Sequence, residues 1–272
     1  MMNEPWILLT NDDSVDSPLL IPLIRALRDI APLRAVVPAT ECSWTSKIMT
    51  RFEVLDVVHR EREGVNLTTL SGYPADCANA GIFTLFPSRP SLVVSGINMG
   101  DNAGLAYFLS SGTVGAAIES HLAGVPALAF SQRFESKDYN YWRCERRLTD
   151  AMEANLFSSI EVAKQIVAEV WARGLPEGSD LMTVNMPVNV KVHTPRRFCS
   201  IARTSYGAFF ENVSDLQKIQ YGHVGYPDIT ASDGESDMVT LSRGEVAMSP
   251  IRFAPYLQPS SEDRVRFEKY SA

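Results

Sequence analysis

The chain has 272 residues, is 45% hydrophobic and 21% charged, and carries a net charge of −7. This composition suits a globular protein with a full core, and its acidity excludes a sequence-independent grip on a nucleic-acid polymer. No apolar run approaches the roughly 20 residues of a membrane span, the first five residues lack the features of a signal peptide, and Cys42, Cys77, Cys144 and Cys199 match no zinc or disulfide pattern, so a cytoplasmic protein that engages no membrane is expected.

In chain order, Trp6-Ile7-Leu8-Leu9-Thr10 is a short apolar run that predicts a buried strand. It ends in Asn11-Asp12-Asp13, where two adjacent carboxylates repel unless a cation neutralises them. Leu20, Leu23, Ile24, Leu27 and Ile30 then fall at helical spacing, with Ser17-Pro18 as a cap. Pro22 moves the expected start of the regular helix to its own position. A strand over 34–38 leads into a polar segment, 39–50, that carries Ser43 and Trp44. Strands are expected over 53–58 and 66–70, with an exposed turn at Arg60–Glu63. Pro74 opens a helix that reaches Phe86, and 91–95 reads as another buried strand. A glycine-spaced loop from Gly96 to Gly104 follows, carrying Asn98 and Asn102. Ser111-Gly112-Thr113 caps a helix of small residues, which Gly124-Val125-Pro126 stops. A strand over 127–131, a helix over 150–173 and a strand over 181–186 complete the alternation.

Strands alternating with helices predict the α/β class, with a Rossmann-like three-layer core and a mostly parallel sheet over residues 1–190. Beyond 190 the pattern changes. Strands are expected over 198–203, 238–242 and 246–249, with a weakly patterned stretch over 205–235. Residues 191–272 therefore read as a β-rich C-terminal extension of the same domain, suited to packing on a partner subunit.

In a parallel sheet the carboxyl ends of the strands converge on one edge. Asp12 and Asp13 follow one strand, Ser43 a second and Asn98 a third. Carboxylate, hydroxyl and amide oxygens are hard donors that suit Mg²⁺, Mn²⁺ or Ca²⁺ rather than zinc. Ser111-Gly112-Thr113, at a helix N-terminus, offers amides and hydroxyls to a phosphate. A cation beside an anion cradle points to phosphoryl hydrolysis. Each piece alone also has a structural reading. Asp pairs make turns and caps. Asn11 reads first as a loop former and second as a substrate contact. Asp76 and Cys77 read as structural, Glu119 as a solvated or salt-bridged carboxylate, and His121 as a packed or surface residue. No Gly-x-Ser-x-Gly elbow and no Gly-x-Gly-x-x-Gly fingerprint occurs, which disfavours serine hydrolase and NAD chemistry.

Five blocks stand in one order: Ile7-Leu-Leu-Thr-Asn-Asp-Asp13, Pro38-x-x-x-x-Ser43, Ser71-Gly-x-Pro-Ala-Asp-Cys77, Val93-Val-Ser-Gly-Ile-Asn-x-Gly-x-Asn102 and Ser111-Gly-Thr-Val-x-Ala-Ala-x-Glu119. Together they resemble the survival protein SurE family of 5'/3'-nucleotidases. The resemblance implies one divalent metal cation per subunit, Mg²⁺ or Mn²⁺, held by Asp12, Asp13, Ser43 and Asn98. It implies phosphate contacts near Asn102, Ser111, Gly112 and Thr113. It also implies dimers or tetramers with exchanged C-terminal segments. Three positions depart from the family's usual pattern. Ser14 stands where glycine commonly follows the Asp pair, Trp44 where a small residue follows Ser43, and Tyr73 where threonine precedes Pro74.

The expected activity is therefore metal-dependent hydrolysis of nucleoside 5'- and 3'-monophosphates, with Asp12 and Asp13 as catalytic carboxylates. Attack by water with an Asp as general base and direct attack by Asp12 are both open. A nucleotide-binding regulatory module with little turnover, or a phosphatase for another small ester or short polyphosphate, is the alternative.

Overall fold

The computed structural model describes residues 4–145, 147–213, 218–222, 235–253 and 258–268. Strand β1 (Ile7–Thr10) lies inside a nine-stranded sheet. On one side it pairs in parallel with β2 (Leu33–Pro38), and β2 in parallel with β4 (Val65–Leu70). Strand β3 (Val57–Arg62) closes that edge, antiparallel to β4. On the other side β5 (Leu92–Met99), β6 (Ala127–Gln132) and β7 (Leu181–Met186) follow in parallel. Strand β11 (Val246–Ile251) adds antiparallel to β7, and β8 (Arg196–Phe198) runs parallel to β11 at the far edge. A separate antiparallel hairpin pairs β9 (Phe210–Val213) with β10 (Lys218–Tyr221).

The first strand explains the three layers. Ile7 and Leu9 join one apolar cluster with α1 (Leu20–Leu27) and α6 (Asp150–Arg173). Trp6 and Leu8 join a second cluster with α2 (Pro74–Phe83) and α4 (Gly112–Leu122). Successive side chains of a strand point to opposite faces, so an unbroken apolar run fills two cores at once. Each fully buried leucine or isoleucine there contributes roughly 2 kcal/mol.

Several element boundaries differ from the sequence expectation. Helix α1 begins at Leu20 rather than Pro22. Pro22 is its third residue, where an N–H would have no partner within the helix anyway. Ser17 does not cap it; the N-cap is Leu19, which makes no side-chain cap bond. Helix α2 stops at Phe83, short of Phe86. Arg60, Glu61 and Arg62 are strand residues of β3, not a turn; the chain turns at Glu63-Gly64. Charge on this edge strand discourages pairing with another sheet. Strand β5 runs on to Met99, through residues expected as loop, with a register shift between Ser95 and Asn98.

Past residue 190 the differences are larger. Residues expected as a strand over 238–242 form helix α7 (Asp237–Ser242), whose N-cap Ser236 accepts a hydrogen bond from the Val239 amide. The expected strand over 198–203 is only the short β8, Arg196–Phe198. Helices α3 (Leu105–Ser110), α5 (Ser136–Glu145) and α8 (Ser261–Phe267) have no counterpart in the sequence reading. His223, Gly225, Pro227 and Gly234 of the weakly patterned stretch lie outside the described residues. The described residues after 190 thus supply two strands of the main sheet and a hairpin outside it.

Candidate active site

Between β1 and β5 the order of the parallel strands reverses direction along the chain. Open α/β sheets bind ligands in the crevice at such a switch point, beyond the carboxyl ends of the strands. A cleft of about 560 Å³ opens there, and Asp12, Ser43, Asn98, Asn102 and Ser111 all line it.

Three loops are tied together around Asp12. Its carbonyl oxygen accepts from the Cys42 amide at 2.8 Å, which draws the segment after β2 against the end of β1. Its carboxylate accepts twice from Thr113, from the hydroxyl at 2.5 Å and from the amide at 3.1 Å. A Cβ added at Gly112 would sit 3.0 Å from the Asp12 Cβ, the Cys42 carbonyl oxygen and the Thr45 hydroxyl, so glycine permits this convergence. Asp13 accepts from the Met99 amide at 2.8 Å, which joins β1 to the end of β5. Both carboxylates are buried, Asp12 at 3% and Asp13 at 6% exposure.

Burial pushes the Asp12 carboxyl up to about 6, against the hydrogen bonds from Thr113 that pull it down. No Lys or Arg among the described residues pairs with Asp12, so none of those residues sets a cation beside its ionised form. The donors around it fit a hard divalent ion. Asn98 gives its amide N–H to the Gly100 carbonyl at 2.7 Å, which leaves its side-chain oxygen as the available donor. The Ser43 side chain makes no hydrogen bond to another described residue. No group of three His, Cys, Asp or Glu side chains gathers among the described residues, so a zinc-type cluster is not built.

The predicted phosphate contacts divide. Ser111 lines the cleft and is the N-cap of α4, accepting from the Val114 amide at 3.1 Å. The Gly112 amide has no partner among the described residues, as befits a helix N-terminus open to an anion. Thr113 does not line the cleft, because both of its polar groups serve Asp12. Asn11 is fully buried and does not line the cleft, and its side chain donates to the Ser14 carbonyl at 2.8 Å, the loop-forming role. Asn102 lines the cleft but gives one amide hydrogen to Ser131 at 2.7 Å. Asp76 is structural: it accepts from the Tyr73 amide and from both the amide and the hydroxyl of Thr50. Glu119 is the salt-bridged carboxylate rather than a solvated one: it is buried, paired with Lys47 at 2.6 Å, and accepts from Asn79 at 2.7 Å.

The departures at Ser14 and Trp44 have conformational signatures. Ser14 has φ of 65°, a left-handed backbone that glycine adopts without penalty and that costs serine about 1 kcal/mol. Trp44 also has a positive φ, 62°, and its ring sits 5.3 to 5.6 Å from those of Tyr107, Tyr206 and Phe209. It lines the cleft and stays 45% exposed. Tyr107, Tyr139, Asn140 and Arg143 also line the cleft and were not singled out from the sequence. The last three sit on α5, where Ser136, Tyr139, Asn140 and Arg143 recur at helical spacing, a polar stripe the sequence does carry.

The fold and the site define an α/β protein of the Rossmann-like class whose switch-point cleft is walled by oxygen donors. More narrowly, the chain belongs to the survival protein SurE family, whose family model matches residues 7–208. The 5'-nucleotidase SurE of Methanocella arvoryzae is 31% identical over 248 residues, spanning 90% of this chain and 91% of that one. The protein of the same name from Methanopyrus kandleri is 32% identical over 245 residues, 90% of each chain. The crystal structure of a SurE protein from Aquifex aeolicus matches the fold with a TM-score of 0.73, covering 98% of this chain and 99% of that one at 24% identity.

Proposed function

We propose that the protein is a metal-dependent phosphomonoesterase that hydrolyses nucleoside 5'- and 3'-monophosphates to nucleoside and phosphate. The observation that carries this reading is the shared cleft: carboxylate, hydroxyl and amide oxygens from three strand ends face the capped N-terminus of α4. Similarity to proteins named 5'-nucleotidase SurE supports the substrate class.

Asp12, Asp13, Ser43 and Asn98 would hold one Mg²⁺ or Mn²⁺ per subunit. When bound, such an ion neutralises a phosphoryl oxygen and acidifies a water. Ser111, with the Gly112 amide and Asn102, holds the remaining phosphoryl oxygens as charge shifts in the transition state. One carboxylate of the Asp pair accepts the proton of the attacking water. Thr113 fixes both oxygens of Asp12, an arrangement that suits a held ligand better than a nucleophile.

The reading includes a homodimer or homotetramer with exchanged C-terminal segments. The β9–β10 hairpin is the segment we assign to that exchange, because Phe210, Ile219 and Tyr221 on it are each more than half exposed. Its setting is the cytoplasm, in keeping with four free cysteines. Among the described residues no helix is long and apolar enough to cross a membrane.

Phosphate release from AMP, GMP and their 3' isomers, with Mn²⁺, with Mg²⁺ and with chelator, tests the activity. Release that depends on the metal supports it. Nucleotide binding without any release would replace it with the regulatory-module reading.

A further inference from the structure

Helix α5 follows the carboxyl end of β6 after a three-residue link and lies along the cleft. Its rotation is fixed by burial. Trp142 and Asp138, four residues apart, are buried, and Trp142 belongs to the apolar core beside α6. Tyr139 packs against Trp142 with ring centroids 5.9 Å apart. With that face turned inward, Ser136, Tyr139, Asn140 and Arg143 present a second face to the cleft.

Each of those four side chains can donate a hydrogen bond, and none is a carboxylate. Among the ionisable residues lining the cleft, Asp101 is already paired with Arg133 at 2.5 Å, and Asp12 belongs to the metal end. Arg143 is the one cationic residue among the described lining residues, and it makes no hydrogen bond or ion pair with any of the described residues. A guanidinium with no partner among the described residues, in a cleft of an acidic protein, is placed to receive an anion, and its planar fork suits phosphate.

We infer that Arg143, with Tyr139 and Asn140, forms a second anion subsite, and that the preferred substrates carry a second phosphate besides the one hydrolysed. This rests on the phosphomonoesterase reading, in which Asp12 and Ser111 mark the position of the first phosphate. The second phosphate is attached either through the ribose, as in a nucleoside bisphosphate, or through an anhydride, as in a nucleoside diphosphate.

The test compares the full chain with its Arg143→Ala and Arg143→Lys variants in Mn²⁺. AMP serves as the single-phosphate substrate, with adenosine 3',5'-bisphosphate and ADP as the two sources of a second group. Arg143→Ala should raise KM for at least one of the latter by about ten- to a hundredfold, the range for a hydrogen bond to a charged group. KM for AMP and all kcat values should stay within about threefold, and Arg143→Lys should recover part of the loss. The arm that responds names the attachment. No change in KM, or an equal change for AMP and every other substrate, overturns the subsite. If the wild-type chain releases phosphate from nothing, the phosphomonoesterase reading fails separately. Calorimetric titration with adenosine 3',5'-bisphosphate and Mn²⁺ then decides the subsite: weaker binding to Arg143→Ala upholds it, and equal or absent binding to both chains overturns it.

Discussion

Thr113 gives its hydroxyl to one oxygen of Asp12 and its backbone amide to the other, at 2.5 and 3.1 Å. One residue at the start of α4 therefore orients a carboxylate at the end of β1, across 101 positions of sequence. Groups that orient a metal ligand are often worth ten- to a hundredfold in metal affinity or activity.

Thr113→Val keeps the amide and removes the hydroxyl. Its metal-activation curve should shift to roughly tenfold or higher Mn²⁺, with kcat at saturating metal much closer to that of the parent. Thr113→Ser should restore the curve. An unshifted curve for Thr113→Val would show that Asp12 needs no such support.

The buried state of Asp12 has a consequence for pH. Its carboxyl is raised from 3.8 to about 6, chiefly by burial. The folded protein therefore holds this proton more tightly than the unfolded chain does. The associated stability is complete below about pH 4 and is lost as pH rises through about 6. A shift of this size corresponds to about 3 kcal/mol. In metal-free protein, Asp12→Asn should remove that downward step, so the melting temperatures of variant and parent should diverge as pH rises from 4 to 7. Mn²⁺ should raise the parent's melting temperature more at pH 7.5 than at pH 5, because the ion displaces the proton. Parallel profiles for the two chains would mean that Asp12 does not titrate in this window.

The parts of this arrangement visible in the sequence are those set by local patterns. The apolar run before Asp12 and the Ser111-Gly112-Thr113 cap announce themselves through strand and helix chemistry. That Thr113 faces Asp12 rather than the cleft is a tertiary fact no local pattern carries. Helix α7 was hidden because Val239 and Thr240 favour a strand by composition, whereas the Ser236 cap and the burial of Met238 and Leu241 impose a helix. Asp237 reinforces it by accepting from the amides of Gly104 and Ala202 at 2.7 and 2.9 Å. Helix α8 had a readable signal, the Ser260-x-x-Asp263 capping box. Helix α5 was masked by its polar composition, and its four-residue stripe has meaning only once the cleft is known to lie beside it.

The approach of the 42–47 segment to α4 should be sensitive to a single methyl group. A Cβ at Gly115 would overlap the carbonyl oxygen of Ser46, a backbone atom that cannot rotate away. Ser46 is tied to the segment before α4 by its amide, which donates to the Ser110 carbonyl at 2.8 Å, and by its hydroxyl, which donates to Leu109 at 2.7 Å. Gly115→Ala should therefore destabilise the protein by about 1–3 kcal/mol, the usual cost of overpacking, and weaken metal activation by displacing Ser43. Urea denaturation measures the first effect and the Mn²⁺ titration the second. A variant as stable as the parent would show that the segment yields at no cost.

Asp13 separates metal holding from folding. Its carboxylate accepts from the Met99 amide, a bond that an asparagine side-chain oxygen can also accept. Asp13→Asn should keep the fold and its circular dichroism while reducing metal-dependent phosphate release to background. Full activity in the variant would remove Asp13 from the metal shell.

The nucleophile is the remaining point on which the site's geometry makes a prediction. An attacking carboxylate needs one oxygen free to approach phosphorus, whereas Thr113 engages both oxygens of Asp12. Acid quenching during turnover, followed by mass spectrometry of the peptide containing Asp12, should find no phosphorylated aspartate. A trapped phospho-Asp12 would assign attack to the carboxylate and require Thr113 to release one oxygen as the substrate binds. In that case Thr113→Val should leave turnover unimpaired or speed it, the opposite of its expected effect as a support for a metal ligand.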